Sequence, residues 1–137
     1  MEDLLKKFGV RAGQLICLLD AGFESGRMLL ELMPVSVNVD PTLREVKYDQ
    51  IVFWPRQLEG LAGYFAEFQA HLKPDGAIWA VMPKKKYARP RGINFSWEQM
   101  QAAGLTTDLV DNKIATINEL DYATKFVIRK RSKTASN

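Results

Sequence analysis

The sequence predicts an α/β fold, a three-layer and mostly parallel sheet of about six strands with a C-terminal antiparallel hairpin. Three observations predict it. Short, almost wholly apolar runs at residues 14–19 (QLICLL), 50–54 (QIVFW) and 77–82 (AIWAVM) suit strands covered on both faces. Segments with apolar residues at helical spacing lie between them. Near the C-terminus, two strand-like segments are joined by a short polar link, which is a hairpin pattern.

The elements follow in order. Leu4, Leu5 and Phe8 form one face of a short helix stopped by Gly9. After the first strand and a glycine-bearing loop, Met28, Leu29, Leu30, Leu32 and Met33 make a helix ended by Pro34. Val35, Val37 and Val39 alternate with Ser36 and Asn38, so a strand is expected there, ending at Asp40-Pro41. Tyr48-Asp49 leads into another strand, residues 50–54, stopped by Pro55. Leu58, Leu61, Ala62, Phe65, Phe68 and Leu72 recur at helical steps. Lys73-Pro74-Asp75-Gly76 reads as a turn in which Gly76 supplies a positive φ. Ser96 and Gln99 fit a capping box for a helix closed by Gly104. The hairpin strands are placed at residues 107–117 and 123–130.

Size and composition bound the function. The chain has 137 residues, which is one domain. We place that domain at residues 1–131 and expect a disordered tail at 132–137. Its net charge is +3, unevenly distributed. Residues 84–91 (KKKYARPR) and 125–133 (KFVIRKRSK) each hold five cations and no acid, which leaves −7 on the remainder. With one cysteine and one histidine, neither an internal disulfide nor a zinc set can form. Cys17 reads as a small buried hydrophobe. The N-terminus lacks a signal-peptide pattern, and no run reaches the ~20 apolar residues of a membrane span. A cytoplasmic protein without a membrane partner is expected.

The segment LLDAGFESGRML carries the frame Asp20-x-Gly22-x-Glu24-x-Gly26. It lies between a strand and a helix, where a glycine-rich turn can approach a nucleotide-like cofactor. Glu24 stands at the central glycine position. Two readings are open. Either Glu24 sits favourably at its own helix start, or the loop holds a ligand.

Taken together, residues 9–131 resemble a shortened Rossmann-type S-adenosylmethionine-dependent methyltransferase domain. The resemblance rests on the phrase GVRAGQLICLLDAGFESG, on Val39-Asp40 at the end of a second strand, on YDQIVFWP, and on AHLKPDGAIWAVMP. It implies cofactor contacts from Asp20, Gly22, Glu24 and Gly26, ribose binding by Asp40, and Trp54 beside the cleft. The chain is also similar to a bacterial domain family with a Trp-x-x-x-Pro-Lys-Lys segment, here Trp79 to Lys85, for which the resemblance implies a fold and no reaction.

Relative to that methyltransferase pattern, the span from Asp40 to Asp49 leaves no room for a third strand and its helices. The Asn/Asp-Pro-Pro-aromatic signature of amino-methylating relatives is replaced by Phe53-Trp54-Pro55-Arg56. We therefore expect a binding domain without catalysis and without a bound cofactor. It would meet an unknown protein or anionic ligand at the strands' carboxyl ends and on a basic loop of Lys84, Lys85, Lys86, Arg89 and Arg91. The alternatives are a minimal methyltransferase that uses S-adenosylmethionine and an RNA- or nucleotide-binding module built on that loop. A homo-oligomer would cover apolar strand surface on the shortened side.

Overall fold

The structure is a computed structural model that describes residues 2–19 and 23–130. Helix α1 (Glu2–Phe8) precedes strand β1 (Leu15–Leu18). Helix α2 (Glu24–Leu32), β2 (Asn38–Asp40), β3 (Tyr48–Phe53) and α3 (Leu61–Ala70) follow. Then come β4 (Leu72–Pro83), the short helix α4 (Lys85–Ala88) and a 3-10 turn (Arg89–Arg91). Helix α5 (Trp97–Gly104), β5 (Leu109–Thr116) and β6 (Asp121–Ile128) complete the chain. Residues 131–137, including the expected tail, lie outside the described residues.

The six strands form one sheet in the order β2-β1-β3-β4-β6-β5. The first four pair in parallel, and β6 runs antiparallel to both β4 and β5. The hairpin therefore occupies one edge of the sheet, with β5 outermost. Its second strand is inserted between β4 and β5. Strand β2 forms the other edge, and no strand forms between it and β3, as the short 40–49 span requires.

Both faces of the sheet are covered. On one, Leu61, Phe65 and Phe68 of α3 and Met100 of α5 pack with Ile51, Phe53, Ile78 and Phe126. On the other, Leu4 and Phe8 of α1 and Leu29 of α2 pack with Ile16, Leu18, Val52 and Trp79. Phe8 stacks on Trp79 at 4.1 Å between centroids. The buried indole N–H of Trp79 donates to Gln50 Oε1 at 2.9 Å, and Gln50 Nε2 donates to Gln14 Oε1 at 3.2 Å. These bonds satisfy polar groups that would be costly to bury alone.

The capping box of α5 is present. Gln99 N donates to Ser96 Oγ at 3.1 Å, and Ser96 N donates to Gln99 Oε1 at 2.9 Å. Helix α1 ends at Gly9, whose φ is 71°, with Val10 N donating to Leu5 O and Gly9 N to Lys6 O. That is a Schellman closure, which a glycine enters at little cost.

Four sequence expectations are corrected. Val35 is fully exposed, in a turn where Val37 N bonds Pro34 O at 3.0 Å, so only residues 38–40 make a strand. Leu58 lies before α3 and Leu72 after it, so the helix is shorter than its apolar period. Residues 73–76 form an irregularity inside β4 rather than a free turn: Tyr48 pairs with Leu72, but Gln50 already pairs with Ala77. Gly76 has no positive φ there, and its requirement is space. A Cβ would lie 2.8 Å from Leu72 Cδ1 and 2.9 Å from Asp49 O. Finally, the basic loop is largely helical, as α4 and the 3-10 turn.

Candidate functional site

Connections leave β1 and β3 toward opposite edges of the sheet, because β1 leads on to β2 and β3 to β4. In open α/β sheets such a reversal leaves a crevice at the strands' carboxyl ends, where ligands bind. Here it lies beyond Leu18 and Phe53. Leu19 N extends the pairing by donating to Val52 O at 2.8 Å. A cleft of roughly 460 Å³ opens at this point, lined in part by Leu19, Trp54, Arg56, Leu61 and Tyr64.

Asp20 and Gly22 lie outside the described residues. Gly26 is buried in the first half of α2. Glu24 opens the helix and is exposed, and it is not among the residues lining the cleft. The N-cap of α2 is Phe23, which makes no side-chain capping bond. The place of Glu24 in the first turn of α2 agrees with its helix-start reading, and its neighbours are the side chains turned inward. Ser25 is fully buried, and its Oγ accepts the indole N–H of Trp54 at 2.9 Å. Phe23 stacks on Trp54 at 6.4 Å between centroids. The guanidinium groups of Arg56 and Arg91 stand 4.6 Å and 5.5 Å from the Phe23 ring centre. Trp54, only 7% exposed, thus joins α2 to β3 as a core and rim aromatic.

Asp40 ends β2, in register with Cys17 of β1. Its Oδ2 accepts the Tyr48 hydroxyl at 2.7 Å and Arg44 Nε at 2.7 Å. The Tyr48 hydroxyl also accepts Arg44 N at 3.1 Å, which folds residues 41–47 back over the carboxylate. The Tyr48 hydrogen bond, then that of Arg44, lowers the Asp40 pKa from its ordinary value. Burial and the bond to Asp40 raise that of Tyr48. Burial, helped by the Asp40 charge, pushes the Cys17 thiol up to about 12. At neutral pH this cluster holds a carboxylate, a phenol and a thiol. It offers no thiolate nucleophile.

Sequence reasoning missed Tyr48 and Arg44 as partners of Asp40. The spacing from Asp40 to Arg44 was the only local signal, and it lies outside any helix. His71 caps the end of α3 near the start of β4, with Nδ1 3.3 Å from Val46 O. That places it at the amino-terminal edge of the parallel strands, away from the crevice. Among the described residues no cluster of three or more His, Cys, Asp or Glu could hold a metal ion. No described helix is long and apolar enough to cross a membrane.

The five basic residues after β4 differ in their surroundings. Arg91 pairs with Asp121, which is buried at the start of β6. Lys84 is half-buried. Lys86 Nζ lies 5.5 Å from the Tyr87 ring centre. Lys85 and Arg89 are exposed, and neither has an ion-pair partner among the described residues.

No protein-family model and no curated protein sequence matches the chain. Solved structures do match, at low identity. The chain superposes on the PH0226 protein from Pyrococcus horikoshii OT3 with a TM-score of 0.63 at 12% identity, over 93% of this chain and 87% of that one. For a putative type 11 methyltransferase from Sulfolobus solfataricus the TM-score is 0.61 at 15% identity, over 96% and 92%. For the glycopeptide N-methyltransferase MtfA complexed with sinefungin it is 0.59 at 11% identity, over 93% and 92%. The fold is methyltransferase-like. This methyltransferase-like domain has a six-stranded sheet with β2 at its edge, where the resemblance implies a further strand. Identities this low speak for the fold alone.

Proposed function

We propose that this methyltransferase-like domain binds a partner or anionic ligand at the carboxyl-end face of its sheet and does not transfer methyl groups. The observation that carries the reading is the state of Asp40. A ribose held at the end of β2 would need this carboxylate as its acceptor. Its Oδ2 already accepts from Tyr48 and Arg44. Charge-assisted bonds of this kind are among the stronger ones, and displacing them opposes ligand binding. The short connection over residues 41–47 adds support, because it supplies no helix to close an adenine pocket.

The test is calorimetry of the full chain with S-adenosylmethionine and with S-adenosylhomocysteine, up to millimolar ligand. We expect no saturable heat. Saturable binding of the cofactor, together with methyl transfer to any acceptor, would overturn the reading.

One observation favours a second reading, a minimal S-adenosylmethionine-dependent methyltransferase. The cleft of roughly 460 Å³ lies at the switch point between Leu19 and Trp54, beside an α2 N-terminus without a side-chain cap. First-turn N–H groups and the helix dipole favour a ligand carboxylate there. On this reading Gly26 and Asp40 would hold the cofactor. Solved structures with this fold include MtfA with sinefungin and LepI in complex with SAM. The same calorimetry separates the two readings.

A further inference from the structure

A second cavity, of roughly 630 Å³, lies beyond the carboxyl end of β4 and is bounded by residues that the switch-point cleft does not use. Its lining includes Lys85, Arg89, Phe95, Trp97, Glu98 and Tyr122. We propose that this cavity binds a nucleoside monophosphate whose base carries an exocyclic amine. The phosphate would meet Lys85 and Arg89, the base would lie among the three rings, and its amine would donate to Glu98.

The two cations are placed as a pair. Lys85 and Arg89 stand at i and i+4 along helical backbone that continues from α4 through Ala88 and Arg89, so they share one face. The fold already engages Arg91 through Asp121 and sets Lys86 against Tyr87. Lys85 and Arg89 are the two cations that line this cavity.

The aromatic wall is held in place. The Trp97 indole N–H donates to Thr124 Oγ1 at 2.8 Å, and Thr124 is fully buried in β6. The capping box fixes the start of α5, which carries both Trp97 and Glu98. Trp97 and Tyr122 line the cavity and remain half-buried. Burial and the charge of Glu98 raise the Tyr122 pKa, so its hydroxyl keeps its proton and can donate. Rings fixed in this way bind flat bases through stacking.

Charge selects the occupant. A simple anion would use Lys85 and Arg89 and leave the exposed Glu98 to water. An apolar molecule would use none of the three charges. The cations and the carboxylate sit on different elements, α4 with its 3-10 turn and α5. That favours a ligand whose anion and donor are separated by a spacer, as phosphate and base amine are by ribose.

The inference deepens the proposed reading by naming a ligand for the carboxyl-end face. It involves none of Asp40, Arg44 or Tyr48, so either idea can fail without the other. The test is calorimetric titration of the full chain with AMP, CMP, UMP, adenosine and inorganic phosphate. We expect single-site binding of AMP and CMP, and weaker binding of UMP, which lacks the amine. Lys85→Glu and Arg89→Glu should each weaken binding about tenfold or more. Glu98→Gln should remove the preference for CMP over UMP. Melting curves establish that each variant is folded. The proposal is overturned if no nucleotide binds up to millimolar concentration, if phosphate alone binds as well as AMP, or if the charge reversals change nothing. Tighter, steeply salt-dependent binding of an RNA oligonucleotide would assign the surface to RNA instead.

Discussion

The Tyr48 hydroxyl donates to Asp40 Oδ2 at 2.7 Å, across a loop that leaves β2 and returns to β3. Tyr48 is fully buried, so the bond joins an interior phenol to a carboxylate at the sheet's edge. This contact engages one oxygen of the carboxylate at the position where the methyltransferase resemblance places a ribose.

Tyr48→Phe removes the main cause of the lowered Asp40 pKa, so the Asp40 titration should move up toward the ordinary carboxylate range in an NMR pH series. The sign for stability follows from that shift. A carboxyl whose folded pKa is lowered contributes stability above its unfolded pKa, about 3.9, and loses it as pH falls through the folded value. The wild type should therefore lose stability in acid below about pH 4 more steeply than Tyr48→Phe does. At neutral pH we expect the variant to be destabilised by about 1–2 kcal/mol, measured by urea unfolding. An unmoved Asp40 titration would contradict the contact.

Cys17 should be inert to an alkylating reagent in the native protein at mildly alkaline pH, since its thiol is buried and its pKa is pushed up to about 12. It should react at the ordinary rate once the chain is unfolded in guanidinium. Fast native-state labelling, read by mass spectrometry, would show that the core around β1 opens readily.

Ser25→Ala leaves the buried Trp54 indole N–H without its partner. The expected loss is about 1–3 kcal/mol in chemical denaturation. Ser25→Thr keeps a hydroxyl and should lose less, unless its added methyl is resisted by the packing. Equal stability of Ser25→Ala and wild type would mean that the bond does not help to join α2 and β3.

Gly76→Ala should also destabilise, by about 1–3 kcal/mol, because the added methyl meets Leu72 and the backbone oxygen of Asp49. The glycine was legible in the sequence, but as a turn residue. Its role depends on β3 passing beside the irregularity in β4, which no local pattern encodes. The same limit explains the valines at 35, 37 and 39. Their alternation is a valid strand signal, but the turn after Pro34 takes Val35 out of the sheet. Long, covered strands such as β4 and the boxed start of α5 were legible because local chemistry and tertiary packing agree there. The site was less so. Asp40 and Trp54 stood out as residue types at strand ends, while their partners Tyr48 and Ser25 are eight and twenty-nine positions away and are brought near only by the fold.

The most direct test of the central claim is calorimetric titration of the wild-type chain with S-adenosylmethionine, paired with a thermal-shift series on the same sample. If the Asp40 carboxylate is committed to Tyr48 and Arg44, no saturable heat and no rise in melting temperature should appear up to millimolar cofactor. Saturable binding with a matching rise in melting temperature, lost on Asp40→Ala, would contradict it and establish the crevice as a working cofactor site.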